Sequence, residues 1–311
     1  MQRFKNILFV TGGRNKSCPA LERAVKLAET NDARLTVIDV IEHIDENAEF
    51  SRRVGISLNQ LVHDHRMSEL SSMLEPYQTD EQLIYTRVLT GSPFAVIINQ
   101  VMQNGYDLVL KASSPPSNLE EQLLGSTDMH LLRKCPCPVW IERPGKPIPY
   151  RSILAAVDPF SDNAAANDIL QLSKTLAERE QAQLQVVHAW NFFGESLFRY
   201  GRARLPVGEI DAMVDEECQR RADRFDAILQ KHGLSIDDEN VHLVKGLPVP
   251  SILQVGQTAD LIVMGTIGRA GVPGFLIGNT AEEVMQLTRA SILAVKPEGY
   301  VSPLAQAAKA A

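Results

Sequence analysis

Short apolar runs alternate with longer stretches in which apolar positions recur every third or fourth residue, and the alternation continues along the whole chain. The second half shows it best. Residues 153–157 form a short apolar run, the pattern of a strand buried on both faces. Ala165, Ile169, Leu172 and Leu176 then mark one face of an amphipathic helix. A second strand follows over 184–189. Ile210, Val214, Cys218, Ala222, Phe225 and Leu229 mark a long helix closed by His232-Gly233, with the glycine at the C-cap position. The pattern then predicts a strand over 241–245, a short helix over 250–256, a strand over 260–264, a helix over 280–288 and a last strand over 292–295. Strand–helix alternation means βαβ units, and right-handed crossovers make the strands parallel. The predicted fold is α/β, a doubly wound open sheet. Ligands of such sheets bind beyond the carboxyl ends of the strands, where the strand order reverses.

The pattern occurs twice. Residues 6–10 (NILFV) return as 152–157 (SILAAV), and 34–40 (RLTVIDV) as 183–189 (QLQVVHA). Residues 106–110 (YDLVL) return as 259–263 (ADLIV), 124–127 (LGST) as 277–280 (IGNT), and 137–141 (CPVWI) as 291–295 (SILAV). Five blocks in one order, at an offset drifting only from 146 to 154, are a tandem duplication. The expected domains are 1–146 and 150–300, two open sheets in one chain. Between them Pro144, Gly145, Pro147 and Pro149 form a stiff connector, since they suit neither helix nor central strand. Two similar copies can pack about a pseudo-two-fold, so an intrachain pseudo-dimer is expected, with further homodimerisation left open. The tail beyond Pro297 is expected to fray.

Charge narrows the function classes. Lys and Arg number 31 against 38 Asp and Glu, a net charge of −7, which argues against a general nucleic-acid or anionic-membrane binder. Residues 1–20 lack the apolar core of a secretory signal, and no apolar run reaches membrane-spanning length. The cysteines are Cys18, Cys135, Cys137 and Cys218; Cys135-Pro136-Cys137 is too tight for ordinary zinc spacing and is read as a strand edge in a reducing cytoplasm. His63 and His65, two apart on a predicted helix, point away from each other, so with His130 they make a poor metal site.

The residues that follow the strands carry the candidate chemistry. In the second copy these include Asp158, Ala189 and a glycine-rich stretch with Gly265, Gly268, Gly271, Gly274 and Gly278. Glycine lets backbone N–H groups turn inward around phosphate. Gly278-Asn279-Thr280 opens a helix whose free amides and dipole favour an anion, and Arg269 adds a cation. The competing explanation needs no ligand: Asn279 and Glu282 have the spacing of a capping box, and Glu282 and Glu283 put negative charge in the first turn. No Gly-Lys-Ser/Thr follows, so this is not a Walker A loop.

Gly265-x2-Gly268-x9-Gly278-Asn279, with Asp158 behind the first strand and His188-Ala189 ending the second, resembles the nucleotide loop of the universal stress protein family. The resemblance covers both copies and implies an adenine nucleotide alpha hydrolase-like fold. It also implies a cytoplasmic stress-response role and ATP or a related adenine nucleotide, with Mg2+ or Mn2+ on the phosphates. By the same resemblance Val157 and Asp158 sit by adenine and ribose, and the Ala189 backbone touches adenine. Gly265, Gly268, Gly278, Asn279 and Thr280 hold ribose and phosphates, with Met264 and Arg269 counted among the binding residues. Single domains of the family pair through their last strands, which here are 139–141 and 292–295.

The first copy departs from the pattern. Gly12 stands where Asp158 stands, Ala112 replaces Gly265 and Pro115 replaces Gly268. Ser126 is explained as a helix N-cap without a ligand. One nucleotide per chain is therefore expected, in the second copy. Trp190, Phe192, Phe193, Phe198 and Tyr200 cluster after the second strand, either as core beneath a long loop or as an apolar ligand or partner site; Arg199, Arg202 and Arg204 beside them form a basic rim or a solvated loop. No catalytic triad or paired acid emerges, and His188 reads as a core histidine rather than a general base. The sequence leaves three functions open: a nucleotide-binding regulator, a slow ATP hydrolase, and an interaction or carrier module for an apolar small molecule.

Overall fold

The structure is a computed structural model that describes residues 3–12, 19–44, 52, 55–78, 84–113, 124–160, 163–201, 205–266 and 278–305. The described chain forms two compact units. The first holds everything up to Ile148 together with the segment from Ser291 onward, and the second runs from Pro149 as far as Ala290. No helix among the described residues is long and apolar enough to cross a membrane.

The first unit contains β1 (Asn6–Val10), α1 (Pro19–Asn31), β2 (Arg34–Ile41), α2 (Leu58–Leu74), β3 (Ile84–Thr90), α3 (Pro93–Asn104), β4 (Leu108–Ala112), α4 (Ser126–Lys134) and β5 (Val139–Glu142). Its strands lie in the order β3-β2-β1-β4-β5, all parallel. The second unit contains β6 (Ser152–Ala156), α5 (Asn163–Glu180), β7 (Gln183–Trp190), α6 (Glu195–Tyr200), α7 (Val207–Leu229), β8 (Val241–Lys245), α8 (Pro248–Val255), β9 (Leu261–Gly265) and α9 (Asn279–Leu287). Its strands lie in the order β9-β6-β7-β8, again parallel. Each copy is therefore the expected open α/β sheet.

The last strand of the second repeat, β10 (Ser291–Val295), joins the first unit. It pairs antiparallel with β5, Leu293 opposite Trp140, which is the pairing the family resemblance implies. Every residue of β5 and β10 is buried, as two-sided burial requires.

The same acidic side chain starts both sheets. Asp107 accepts the backbone N–H groups of Lys5 (2.7 Å) and Asn6 (3.1 Å). Asp260 accepts those of Arg151 (2.9 Å) and Ser152 (3.2 Å). Each aspartate stands just before the strand that pairs with the one it pins, so it fixes where β1 meets β4 and where β6 meets β9.

Three local expectations need correction. The stretch after β7 is not one long loop, because α6 forms within it. Gly233 does not cap α7 directly; the helix stops at Leu229, a 3-10 turn follows, and Gly233 closes that turn at φ 70°. The helix expected over 250–256 begins earlier, at Pro248, since proline suits a first helical turn.

Trp140 is fully buried beneath the β5–β10 pair. Trp140→Ala should cost about 3–5 kcal/mol by cavity formation, read as a lower denaturant midpoint for the transition that includes the first unit.

Candidate functional site

Strand order reverses beside β6, between β7 on one side and β9 on the other. The register sets Ala156 against Met264, so Val157 and Asp158 emerge next to Gly265 and Thr266. Ala189, the second-last residue of β7, lies at the same carboxyl edge, opposite Val244 of β8. The Gly278 N–H donates to the Thr266 carbonyl (2.8 Å), which brings the start of α9 back to the strand end. Seven of the residues implied by the resemblance thus meet at one sheet edge: Val157, Asp158, Ala189, Met264, Gly265 and Gly278, with Thr280 just inside α9. Asn279 is exposed on the first turn of that helix. Gly268 and Arg269 lie outside the described residues.

The turn after β6 is firmly held. An Asp158 carboxylate oxygen accepts the Phe160 N–H at 3.0 Å, the bond of an Asx-turn. The Val157 N–H donates to the Val187 carbonyl (2.9 Å), and the Val157 carbonyl faces His188 Nδ1 at 3.0 Å. A carbonyl only accepts, so Nδ1 carries the proton. Arg221 Nη1, which only donates, lies 3.4 Å from His188 Nε2, so that nitrogen accepts. His188 is the structural histidine expected from the sequence, locked as one tautomer.

Arg221 belongs to α7. Its Nε donates to Glu217 at 2.6 Å, and its guanidinium lies over the Trp190 ring at 5.3 Å. Arg220, Arg221 and Arg224 set their guanidinium carbons 4.9, 4.7 and 4.8 Å from the Phe160 ring centre. Burial pushes the Glu217 carboxyl up, but Arg220 and Arg221 outweigh it and hold the group below the usual carboxylate range. Sequence reading missed this brace of α7 over the β6 turn. Arg221 is buried on the same side of the helix as Val214 and Phe225, a place that a pattern of apolar residues does not mark.

The helix openings also differ from expectation. Asn279 does not cap α9. The N-cap is Gly278 (φ −64°, ψ 140°), with no side-chain capping bond, and Asn279 is already helical, so no Asn279–Glu282 capping box forms. In the first unit Gly125 (φ −66°, ψ 162°) caps α4, and Ser126 is likewise inside the helix. Capping needs a side chain on the extended residue, and in both copies that residue is glycine.

The two copies then diverge at equivalent positions. The register places Lys111 in the first unit where Met264 stands in the second. Counting from the glycine caps, Asp128 stands where Ala281 stands. Lys111 and Asp128 form a buried ion pair at 2.7 Å, and Lys111 Nζ also donates to the Ala112 carbonyl (2.9 Å). The acid lies in the first turn of α4, where the helix dipole favours it. Met264 and Ala281 are equally buried and carry no charge. Beside them Thr266 is buried, its Oγ1 without a hydrogen-bond partner among the described residues. Thr266 was visible in the sequence between Gly265 and Ile267, but nothing there marked its hydroxyl as buried.

The aromatic stretch divides. Trp190 is buried with Ile210 and Val214, and Phe192 and Phe198 pack against them, so these three serve the core. Phe193 and Tyr200 are exposed, at 96% and 78%. Arg199 is no basic rim: it pairs with Glu195 (2.9 Å) and Asp211 (2.7 Å). Arg202 and Arg204 lie outside the described residues. His63 and His65 pair with Asp64 and Glu69, and His130 stacks on Phe94 at 4.3 Å. Among the described residues no group of three His, Cys, Asp or Glu side chains is placed to hold a metal.

The model of the universal stress protein family matches residues 3–143 and again 149–296, and the chain belongs to that family. It is 29% identical over 317 residues to universal stress protein E of Escherichia coli K12, with 98% of each chain covered. Among solved structures it matches a candidate universal stress protein from Pseudomonas aeruginosa UCBPP-PA14 at 25% identity and TM-score 0.72, covering 99% of each chain. It also matches a functionally unknown protein from P. aeruginosa PAO1 at 26% identity and TM-score 0.70, covering 100% of this chain and 99% of that one.

Asp128→Ala should leave the Lys111 ammonium buried without its carboxylate, at a cost of about 3–5 kcal/mol in chemical denaturation. Lys111→Met with Asp128→Ala, which copies the second unit, should recover most of that loss.

Proposed function

We propose that this chain is a regulatory protein that binds one adenine nucleotide, ATP or a close relative, at the β6–β9 edge of the second unit. The observation that carries the reading is the replacement of the Lys111–Asp128 ion pair by Met264 and Ala281. In the first copy the positive end of α4 is satisfied by the chain's own carboxylate. In the second copy the position equivalent to Asp128 carries no charge, so the amides at the start of α9 are suited to an anion from outside. Thr266 Oγ1 supplies a buried hydroxyl beside them.

The residues fit a nucleotide. Asp158 and Ala189 stand where a base and ribose would lie, and Gly265, Gly278, Asn279 and Thr280 where phosphates would approach. Gly268 and Arg269 are expected to contribute to the same ligand. A divalent ion would arrive on the phosphates. A regulatory role is supported by His188, which spends both ring nitrogens on Val157 and Arg221 and so is not offered as a base.

The test is mass spectrometry of what heat releases from gently purified protein, with binding titrations of ATP plus magnesium. Wild type should release an adenine nucleotide. A Cβ on Gly265 would lie 3.6 Å from Ile169 Cδ1, an ordinary contact. Gly265→Ala should therefore keep its stability within about 1 kcal/mol while binding falls about tenfold or more. Met264→Lys with Ala281→Asp transplants the first copy's ion pair and should abolish binding in a folded protein. Absence of any nucleotide, with no millimolar affinity, would sink the reading; release of an apolar molecule would move it to Phe193 and Tyr200.

A further inference from the structure

Cys135 and Cys137 flank Pro136 in the turn between α4 and β5, and both are buried. Their sulfurs lie 3.6 Å apart, sharing a proton. Lys296, the residue after β10, is also buried. Its Nζ donates to the Leu132 carbonyl in the last turn of α4 and lies 4.9 Å from the Tyr300 ring centre. The Tyr300 hydroxyl donates to the Arg133 carbonyl at 2.6 Å. The C-terminal segment thus satisfies helix-end carbonyls that would otherwise lack partners.

The charge balance of this cluster is unusual. Burial pulls Lys296 down to about 8, and the groups that draw it back up are the two thiols. Burial pushes the Cys135 thiol up, but hydrogen bonds from the Cys137 thiol and backbone, with the Lys296 charge, outweigh it and bring the group below its ordinary value. Cys137 is held well above its ordinary value, first by its bond to Cys135 and then by burial. The negative end of α4 opposes a thiolate at Cys135, and the Lys296 ammonium offsets that field. The 3.6 Å contact places the two sulfurs within reach of each other, as attack by one and resolution by the other require.

We propose that Cys135 and Cys137 are a reversible dithiol–disulfide pair oxidised by hydroperoxides, with Lys296 as the buried counter-ion of the reacting sulfur. The Cys135 thiolate attacks one oxygen of hydrogen peroxide; the O–O bond breaks, leaving a sulfenic acid and hydroxide. Hydroxide takes a proton from Lys296 and leaves as water. The Cys137 sulfur then attacks the Cys135 sulfur, its proton joins the departing hydroxyl, and a second water leaves. The sum is thiolate, ammonium, thiol and peroxide giving disulfide, neutral amine and two waters. Cys135 is fully buried and Cys137 retains 7% exposure, so an oxidant little larger than water would reach the pair from beside Cys137. A bridge across a single residue is strained and therefore easily reduced, which suits a reversible device.

This inference is independent of nucleotide binding. Its test uses the full chain with Cys18→Ser and Cys218→Ser, so that only the pair is left. Hydrogen peroxide should yield a Cys135–Cys137 peptide two hydrogens lighter, restored by dithiothreitol. Lys296→Met should slow the reaction about tenfold, as loss of one unit of thiolate stabilisation implies, and Lys296→Arg should restore much of it. If Lys296→Met does not fold, Cys137→Ser keeps the lysine and should leave a Cys135 sulfenic acid that dimedone traps. The proposal is overturned if both thiols stay reduced in folded protein, if oxidation stops at Cys135 without a bridge, if Lys296→Met reacts at the wild-type rate, or if dimedone labels nothing.

Discussion

A single carboxylate sets the geometry of the second unit. Asp260 takes the N–H groups of Arg151 and Ser152, while its own N–H donates to the Ser152 carbonyl (2.9 Å). That lattice fixes the register of β6 on β9. A slip of one residue would turn every side chain of these short strands to the other face and carry Asp158 away from Gly265. Asp107 imposes the same constraint on β1 and β4. Because the pins are equivalent, the two strand edges can be compared position by position, and chemical differences between them are not differences of backbone.

Those differences fall where the first helical turn meets the central strand. The first copy spends a buried lysine and a buried aspartate on holding its own strand end to its own helix. A buried pair of this kind is a weak net stabiliser, but breaking it is costly, so it commits the site to internal use. The second copy places methionine and alanine there and leaves a buried threonine hydroxyl beside them. One copy of the duplicated fold satisfies its strand end internally, and in the proposed function the other leaves the same place to an anion. The His188–Arg221–Glu217 brace gives that copy a rigid β6 turn, at the cost of removing the β7 histidine from proton-transfer chemistry.

The exchange of β10 into the first unit explains why the thiol pair acquires a lysine at all. Cys135 and Cys137 belong to the first repeat and Lys296 to the end of the second. They meet only because β10 lies against β5 and carries the following residue to the end of α4. The same exchange buries Trp140 and gives Arg143 a bond to the Ser291 hydroxyl at 3.0 Å.

By itself the sequence determined the duplication, the strand–helix alternation and the positions of nearly every strand in the second copy. Buried parallel strands are short and apolar, and that signal is local. It also marked Asp158, Gly265 and Gly278 by their place after strands, and it separated the two copies through Gly12 and Ala112. It misjudged the helix caps at Asn279 and Ser126, because which residue is extended and which is helical depends on where the strand end holds the chain. It allowed for core packing of the aromatic stretch, which Trp190, Phe192 and Phe198 show, but read as a loop the segment in which α6 forms. Only the tertiary structure decided the partners of the buried cations: Lys111 with Asp128, Arg221 with His188, and Lys296 with the Leu132 carbonyl. Such contacts join residues far apart in the chain, and no local periodicity records them. They exist because burial makes each charge seek whatever partner the sheet brings within reach.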